Sequence, residues 1–235
     1  MNGIDAKRRD LSGPRRAATW LVLVVGLGCA GRSTLASDPR GVYHVDDFGA
    51  RHDGVADDGP AIRAALAACA VTGGIVQFGP GVYVFRDSLE IGSSSVVMRG
   101  VGRADPREYD QGRGTLLEHR PRPSAEAPTA VRIGHRPERI VASGLEDLTL
   151  RGSTGHTGHL LWMEGVQRCH LARVDLFHNA ADGPGRAALL VSSRHPDAPA
   201  TGCWFDAVHV FCARNAGARA TGSFSPATGR RTRPT

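Results

Sequence analysis

Three six-residue blocks constrain the fold of this chain most, because they align without gaps: Leu145-Glu-Asp-Leu148-Thr-Leu150, Leu171-Ala-Arg-Val174-Asp-Leu176 and Phe205-Asp-Ala-Val208-His-Val210. Apolar residues fill the first, fourth and sixth places of each. Val174 follows Leu148 by 26 residues and Val208 follows Val174 by 34, so the second interval holds one turn of a repeat plus an insertion within residues 183–202. That spacing is too tight for alternating helices and strands. Short strands stacked coil upon coil fit it, since no coil can bury its apolar side alone and neighbours make a continuous interior. The expected fold is therefore all-β, a parallel β-helix, with residues 188–191 supplying a further short strand.

The stretch from Asp46 to Tyr83 predicts how such a solenoid begins. Pro60 suits a first helical turn, and Ile62, Ala65, Leu66 and Cys69 recur on one helical face. Gly73-Gly74 closes the helix, and strands follow over residues 75–78 and 82–85, joined by Gly79-Pro80-Gly81. An amphipathic helix from about Pro60 to Val71 would cap the unpaired edge of the first coil. The carboxylates of this stretch read as structural. Asp58 is placed to accept hydrogen bonds from the helix start, Asp57 adds charge there, and Asp53-Gly54 marks a turn with Asp46-Asp47 bracing the loop before it.

The two ends read differently. Residues 1–36 have a basic start, an apolar run from Ala17 to Ala30 and small residues after it, the pattern of an export signal; the run is too short to span a bilayer. Cys29 is a weaker site for lipid attachment. Residues 218–235 are polar and arginine-rich, and read as a disordered tail after a β-helix domain over 40–217. The net charge of +6 is concentrated at these ends. Nucleic acid is therefore not an expected partner, a stable membrane span is not expected, and the oligomeric state is left open. Cys169 and Cys203 share one repeat position, about 4.8 Å apart in stacked strands, which suits either a disulfide or a reduced pair.

Val45-Asp-Asp-Phe-Gly-Ala50, Asp53-Gly54, Asp57-Asp58, Ala61-Ile62, Gly73-Gly74, Val76, Phe78, Pro80-Gly81 and Tyr83 resemble the opening of the pectate-lyase-like superfamily, and Val96-Val-Met-Arg-Gly-Val-Gly102 is similar to its next coil. The resemblance implies a right-handed parallel β-helix with an N-terminal cap helix, and polysaccharide as partner. It also implies functional residues in later coils, on the outer face of one stacked sheet. Members are generally longer, so the chain reads as truncated at its C-terminus. The same opening serves lyases, hydrolases, uronate epimerases and phage tailspikes.

Strand alternation turns the fifth residue of each block outward, giving Thr149, Asp175 and His209 on one face. Asp175 and His209 are the candidate proton-exchanging pair, with Thr149 beside them for substrate. Asn179-Ala-Ala-Asp182-Gly183 is similar to a polygalacturonase motif, making Asp182 a second candidate carboxylate for hydrolysis with Asp175. Arg151 and Arg173 are candidates to hold a uronate carboxylate. Calcium, if a lyase uses it, would draw on Glu146, Asp147 and Asp206, but no spacing is diagnostic of a metal and no cofactor is assigned. The expected function is that of an exported carbohydrate-active protein working by elimination or hydrolysis. The alternatives are a non-catalytic carbohydrate-binding or surface β-helix and an inactive remnant of such an enzyme.

Overall fold

The computed structural model describes residues 41–105, 113–122, 128–134, 139–153, 157–178, 186–193 and 200–212. The chain divides into Met1–Thr34 and Leu35–Thr235, and every described residue lies in the second unit. The expected signal segment, Cys29, Asn179, Asp182 and the tail lie outside the described residues.

Sixteen strands and one α-helix are described. They are β1 (Val42–His44), β2 (Asp53–Asp57), α1 (Gly59–Thr72), β3 (Gly74–Gln77), β4 (Gly81–Phe85), β5 (Leu89–Ile91), β6 (Val96–Arg99), β7 (Thr115–His119), β8 (Val131–Gly134), β9 (Ile140–Val141), β10 (Gly144–Gly152), β11 (Leu161–Glu164), β12 (Val166–Gln167), β13 (His170–His178), β14 (Leu189–Ser192), β15 (Trp204–Asp206) and β16 (His209–Cys212), with a 3₁₀ turn over Val45–Phe48. Every pairing among them is parallel. The largest sheet has two runs, β1-β3-β6-β10-β13-β15 and β2-β4-β7-β10-β13-β16, sharing the long strands β10 and β13. A second sheet runs β5-β8-β11-β14 and a third pairs β9 with β12. A curled, mostly β chain of parallel strands with one helix is consistent with a parallel β-helix.

The repeat blocks stack in register. Leu145 pairs with Leu171, Leu148 with Val174 and Leu150 with Leu176, and the next rung adds Phe205 opposite Leu171 and Val210 opposite Leu176. Leu145, Leu148, Leu150, Leu171, Val174 and Leu176 are fully buried. Each contributes about 1.5–3 kcal/mol by leaving water, and only the stacked rungs make that possible. The third place of each block was not legible as special: Asp147, Arg173 and Ala207 all have left-handed φ, 53°, 53° and 48°. The chain turns a corner there, which is why β10 and β13 serve two sheet faces.

α1 extends the expected helix by one residue at each end and packs against the 3₁₀ turn, β1 and β3–β6. It buries Ala61, Ile62, Ala65, Leu66 and Cys69. Its start differs from expectation. Asp58 makes no side-chain cap; its Oδ1 instead accepts from Arg51 N at 2.7 Å, while Asp57 Oδ1 accepts from Gly59 N at 3.1 Å. Asp58 is buried, and burial raises its carboxyl above the usual range. Asp53 Oδ1 accepts from Val55 N and Ala56 N, both at 2.8 Å, and these amides, Ala56 first, hold it low. Asp53, Asp57 and Asp58 thus brace backbone, while Asp46 Oδ1 accepts from the Tyr83 hydroxyl at 3.3 Å. Cys169 and Cys203 are free thiols in neighbouring rungs, directly before the His170–Trp204 pair.

Gly144 lies against the next rung, where an added Cβ would stand 2.2 Å from His170 O. Gly144→Ala should therefore lower stability by about 2–3 kcal/mol, since the neighbour is backbone and cannot yield. Urea unfolding checks this, and an unchanged midpoint would contradict the rung spacing.

His119 in β7 is fully buried, stacked on Phe85 at 5.0 Å, with Nδ1 3.1 Å from Thr157 Oγ1. Burial pulls its imidazole down to about 4. The unfolded chain then takes up the proton first. This contribution to stability is complete above about pH 6.5 and declines as pH falls toward 4, by on the order of 3 kcal/mol. Thermal unfolding between pH 7 and 4 should show that slope, and His119→Gln should flatten it.

Candidate functional site

The outer face of the β7, β10, β13 and β16 run is built from two register columns. One runs Leu116, Thr149, Asp175, His209; the other, two residues further along each strand, runs Glu118, Arg151, Phe177, Phe211. The fifth-place residues are therefore neighbours, as the blocks predict. His209 Nδ1 lies 3.1 Å from Asp175 Oδ1, with side chains 53% and 15% exposed. The pair is an imidazole open to solvent over a largely covered carboxylate.

Arg103 completes the cluster, and the sequence did not indicate it. Its Nη1 donates to Asp175 Oδ1 at 3.2 Å and lies 3.0 Å from His209 Nδ1. Arg103 reaches these rungs from the segment after β6, far away along the chain. Only the hydrogen bonds of that segment to the next rung could have revealed it: Gly100 N to Glu146 O and Gly102 N to Asp147 O, both 2.9 Å.

Thr149 is in the expected column but not on the surface. It is fully buried, with Oγ1 accepting from Ala104 N and donating to Ala104 O, both at 2.9 Å. Direct contact with a substrate is closed to it, because the Arg103–Ala104 backbone lies across it.

Arg151 sits beside the pair in the second column, with Nη1 4.0 Å from Glu118 Oε1, and burial lowers its guanidinium below the usual range. Glu118 is also held by Arg120 Nη2 at 2.6 Å. Phe177 and Phe211 stack nearly parallel, 9° apart with centroids 4.3 Å apart, and Phe211 stands edge-on to His209. Arg173 is at the corner instead, clamped on Asp147 through Nε at 2.5 Å and Nη2 at 2.8 Å. That clamp holds Asp147 below the usual carboxylate range and raises Arg173.

Two of the three carboxylates considered for calcium, Glu146 and Asp147, are bonded to neighbouring cationic or imidazole side chains. Glu146 accepts from Arg99 Nε at 2.6 Å and from His170 Nε2 at 2.8 Å, and His170 is stacked under Trp204 at 4.8 Å. Burial pushes Glu146 up, but these two bonds outweigh it and hold it low. Asp147 faces Arg173, through the two bonds given above. Among the described residues no group of three or more His, Cys, Asp or Glu could hold a metal ion. No described helix is long and apolar enough to cross a membrane.

Comparison with known proteins adds one family. A family described as "Rhamnogalacturonase A/epimerase, pectate lyase-like" matches residues 42–115. No curated protein matches the chain. Similar solved structures include ORF18 of Geobacillus virus E2, at 16% identity over 73% of this chain and 40% of that one, with a TM-score of 0.46. The A-modules of the Azotobacter vinelandii mannuronan C-5 epimerases AlgE6 and AlgE4 are 26% and 20% identical, over 64% and 72% of this chain, with TM-scores of 0.47 each. The chain spans 41% and 50% of those two modules.

Glu146→Ala would leave Arg99 and His170 without their acceptor. It should cost about 1–3 kcal/mol in urea unfolding, as a half-buried charged hydrogen-bond network does. A change within about 0.5 kcal/mol would show that the network is only a surface decoration.

Proposed function

We propose that this chain, whose residues 42–115 are pectate-lyase-like, is an exported carbohydrate-active protein that acts on polysaccharide, with Asp175 and His209 exchanging the proton. The observation that supports this reading is the 3.1 Å contact between an open imidazole and a covered carboxylate on the outer face of stacked rungs. Elimination suits the geometry better than hydrolysis. Asp175 meets an imidazole and a guanidinium, a proton-exchanging group and a cation of the kind that abstraction beside a carboxylate uses. In elimination, Asp175 accepts the proton beside a uronate carboxylate, the C–H electrons form the new double bond, and the glycosidic oxygen leaves and is protonated from the Asp175–His209 pair. Arg103 and Arg151 stand where they would offset the charge that develops. Calcium has no step in this scheme.

A second reading, a non-catalytic carbohydrate-binding face, draws on the Phe177–Phe211 stack beside the cluster, whose rings offer flat apolar area to a sugar.

Incubation with acidic and neutral polysaccharides, with and without calcium, separates the two. Unsaturated ends that form without added calcium, and fall at least 100-fold in Asp175→Asn and His209→Gln, are the expected result. Retention of glycan without new ends would favour binding alone. Neither turnover nor retention would overturn both.

A further inference from the structure

His209 has two suitors for one ring nitrogen. Arg103 Nη1 stands 3.0 Å from Nδ1 and Asp175 Oδ1 stands 3.1 Å from it. A guanidinium only donates and a carboxylate only accepts, so their demands are opposite. With Arg103 bonded, Nδ1 must offer its lone pair and the neutral ring carries its proton on Nε2. With Arg103 gone, Nδ1–H can donate to Asp175, and Nε2 is left with the lone pair. The exchange moves one proton between the two ring nitrogens and loses none. Its consequence is chemical: in the first state the free nitrogen is a donor, in the second a base.

What decides between them is the placement of Arg103, and that traces to Thr149. The buried Thr149 hydroxyl clamps both backbone groups of Ala104, the residue after Arg103, at 2.9 Å each. The segment is also stitched below, through Gly102 N to Asp147 O at 2.9 Å and Thr115 N to Gly102 O at 2.8 Å. The Gly102 ties and the Thr149 clamp on Ala104 thus hold the backbone on both sides of Arg103. Thr149 is paired in register with Asp175, one rung away.

We propose that Thr149 is a positioning residue: by clamping Ala104 it holds Arg103 on His209 Nδ1 and so sets the neutral imidazole with its proton on Nε2. The role of that tautomer in turnover rests on the acid–base reading of Asp175 and His209; the positioning itself does not.

The test reads the ring directly. Long-range ¹⁵N–¹H spectra of the full chain, at a pH where His209 is neutral, should show Nδ1 unprotonated and Nε2 protonated. Arg103→Ala and Thr149→Val should each shift the pair toward protonated Nδ1, and the double variant should go no further than Arg103→Ala alone. Thr149→Ser, which keeps the hydroxyl, should retain the wild-type pattern. A wild-type ring already protonated at Nδ1 would overturn the proposal. So would a folded Thr149→Val that keeps the wild-type pattern while Arg103→Ala shifts. Should Thr149→Val not fold, Thr149→Ala, which also lacks the hydroxyl, takes its place, and an unchanged ring in Arg103→Ala refutes the proposal in either case. Absence of polysaccharide turnover alongside the expected spectra would count against the acid–base function and leave the positioning standing.

Discussion

Register between parallel strands is the constraint on which the rest depends. A shift of one residue would turn Leu148 and Leu150 outward and Thr149 inward, because side chains alternate along a strand. The stacked pairs Leu145–Leu171, Leu148–Val174 and Leu150–Leu176 make that shift costly, since each buries fully only in the observed alignment. The same alignment carries Thr149, Asp175 and His209 into one column. Core packing and candidate chemistry are thus two sides of a single pleat.

Electrostatics then sorts the polar residues of the outer surface. Glu146 and Asp147 are matched to Arg99, His170 and Arg173 with short bonds, and serve to hold rungs and the corner together. Asp175 is matched differently, because its partners are an exposed imidazole and an arginine delivered from another coil. A group with two competing neighbours can change its bonding at little cost, whereas one clamped by two parallel hydrogen bonds cannot. This contrast separates a candidate reactive centre from the charged pairs that surround it.

Much of this was legible in the sequence. The three blocks announced both the stacking and the column, because apolar spacing is a direct record of burial. The α1 face was legible for the same reason, through Ile62, Ala65, Leu66 and Cys69. Three things were not. The corner at Asp147, Arg173 and Ala207 is occupied by residues without a shared preference for left-handed backbone, so nothing marks it. Thr149 was read as exposed because alternation says which face a residue takes, but not whether another segment covers that face. Arg103 was missed since its reach across rungs depends on how the segment after β6 is tied down, and hydrogen bonds between distant backbone groups leave no local pattern. The helix start shows the same limit on a smaller scale: acidic residues were expected there, yet Asp57 rather than Asp58 meets the first amide.

The central claim is the in-register stacking of the strands that carry Thr149, Asp175 and His209. Nuclear Overhauser contacts between backbone protons of β10, β13 and β16 measure it directly. The account predicts cross-strand contacts that link Thr149 to Asp175 and Asp175 to His209. Contacts displaced by one residue along either strand, or antiparallel ones, would contradict it.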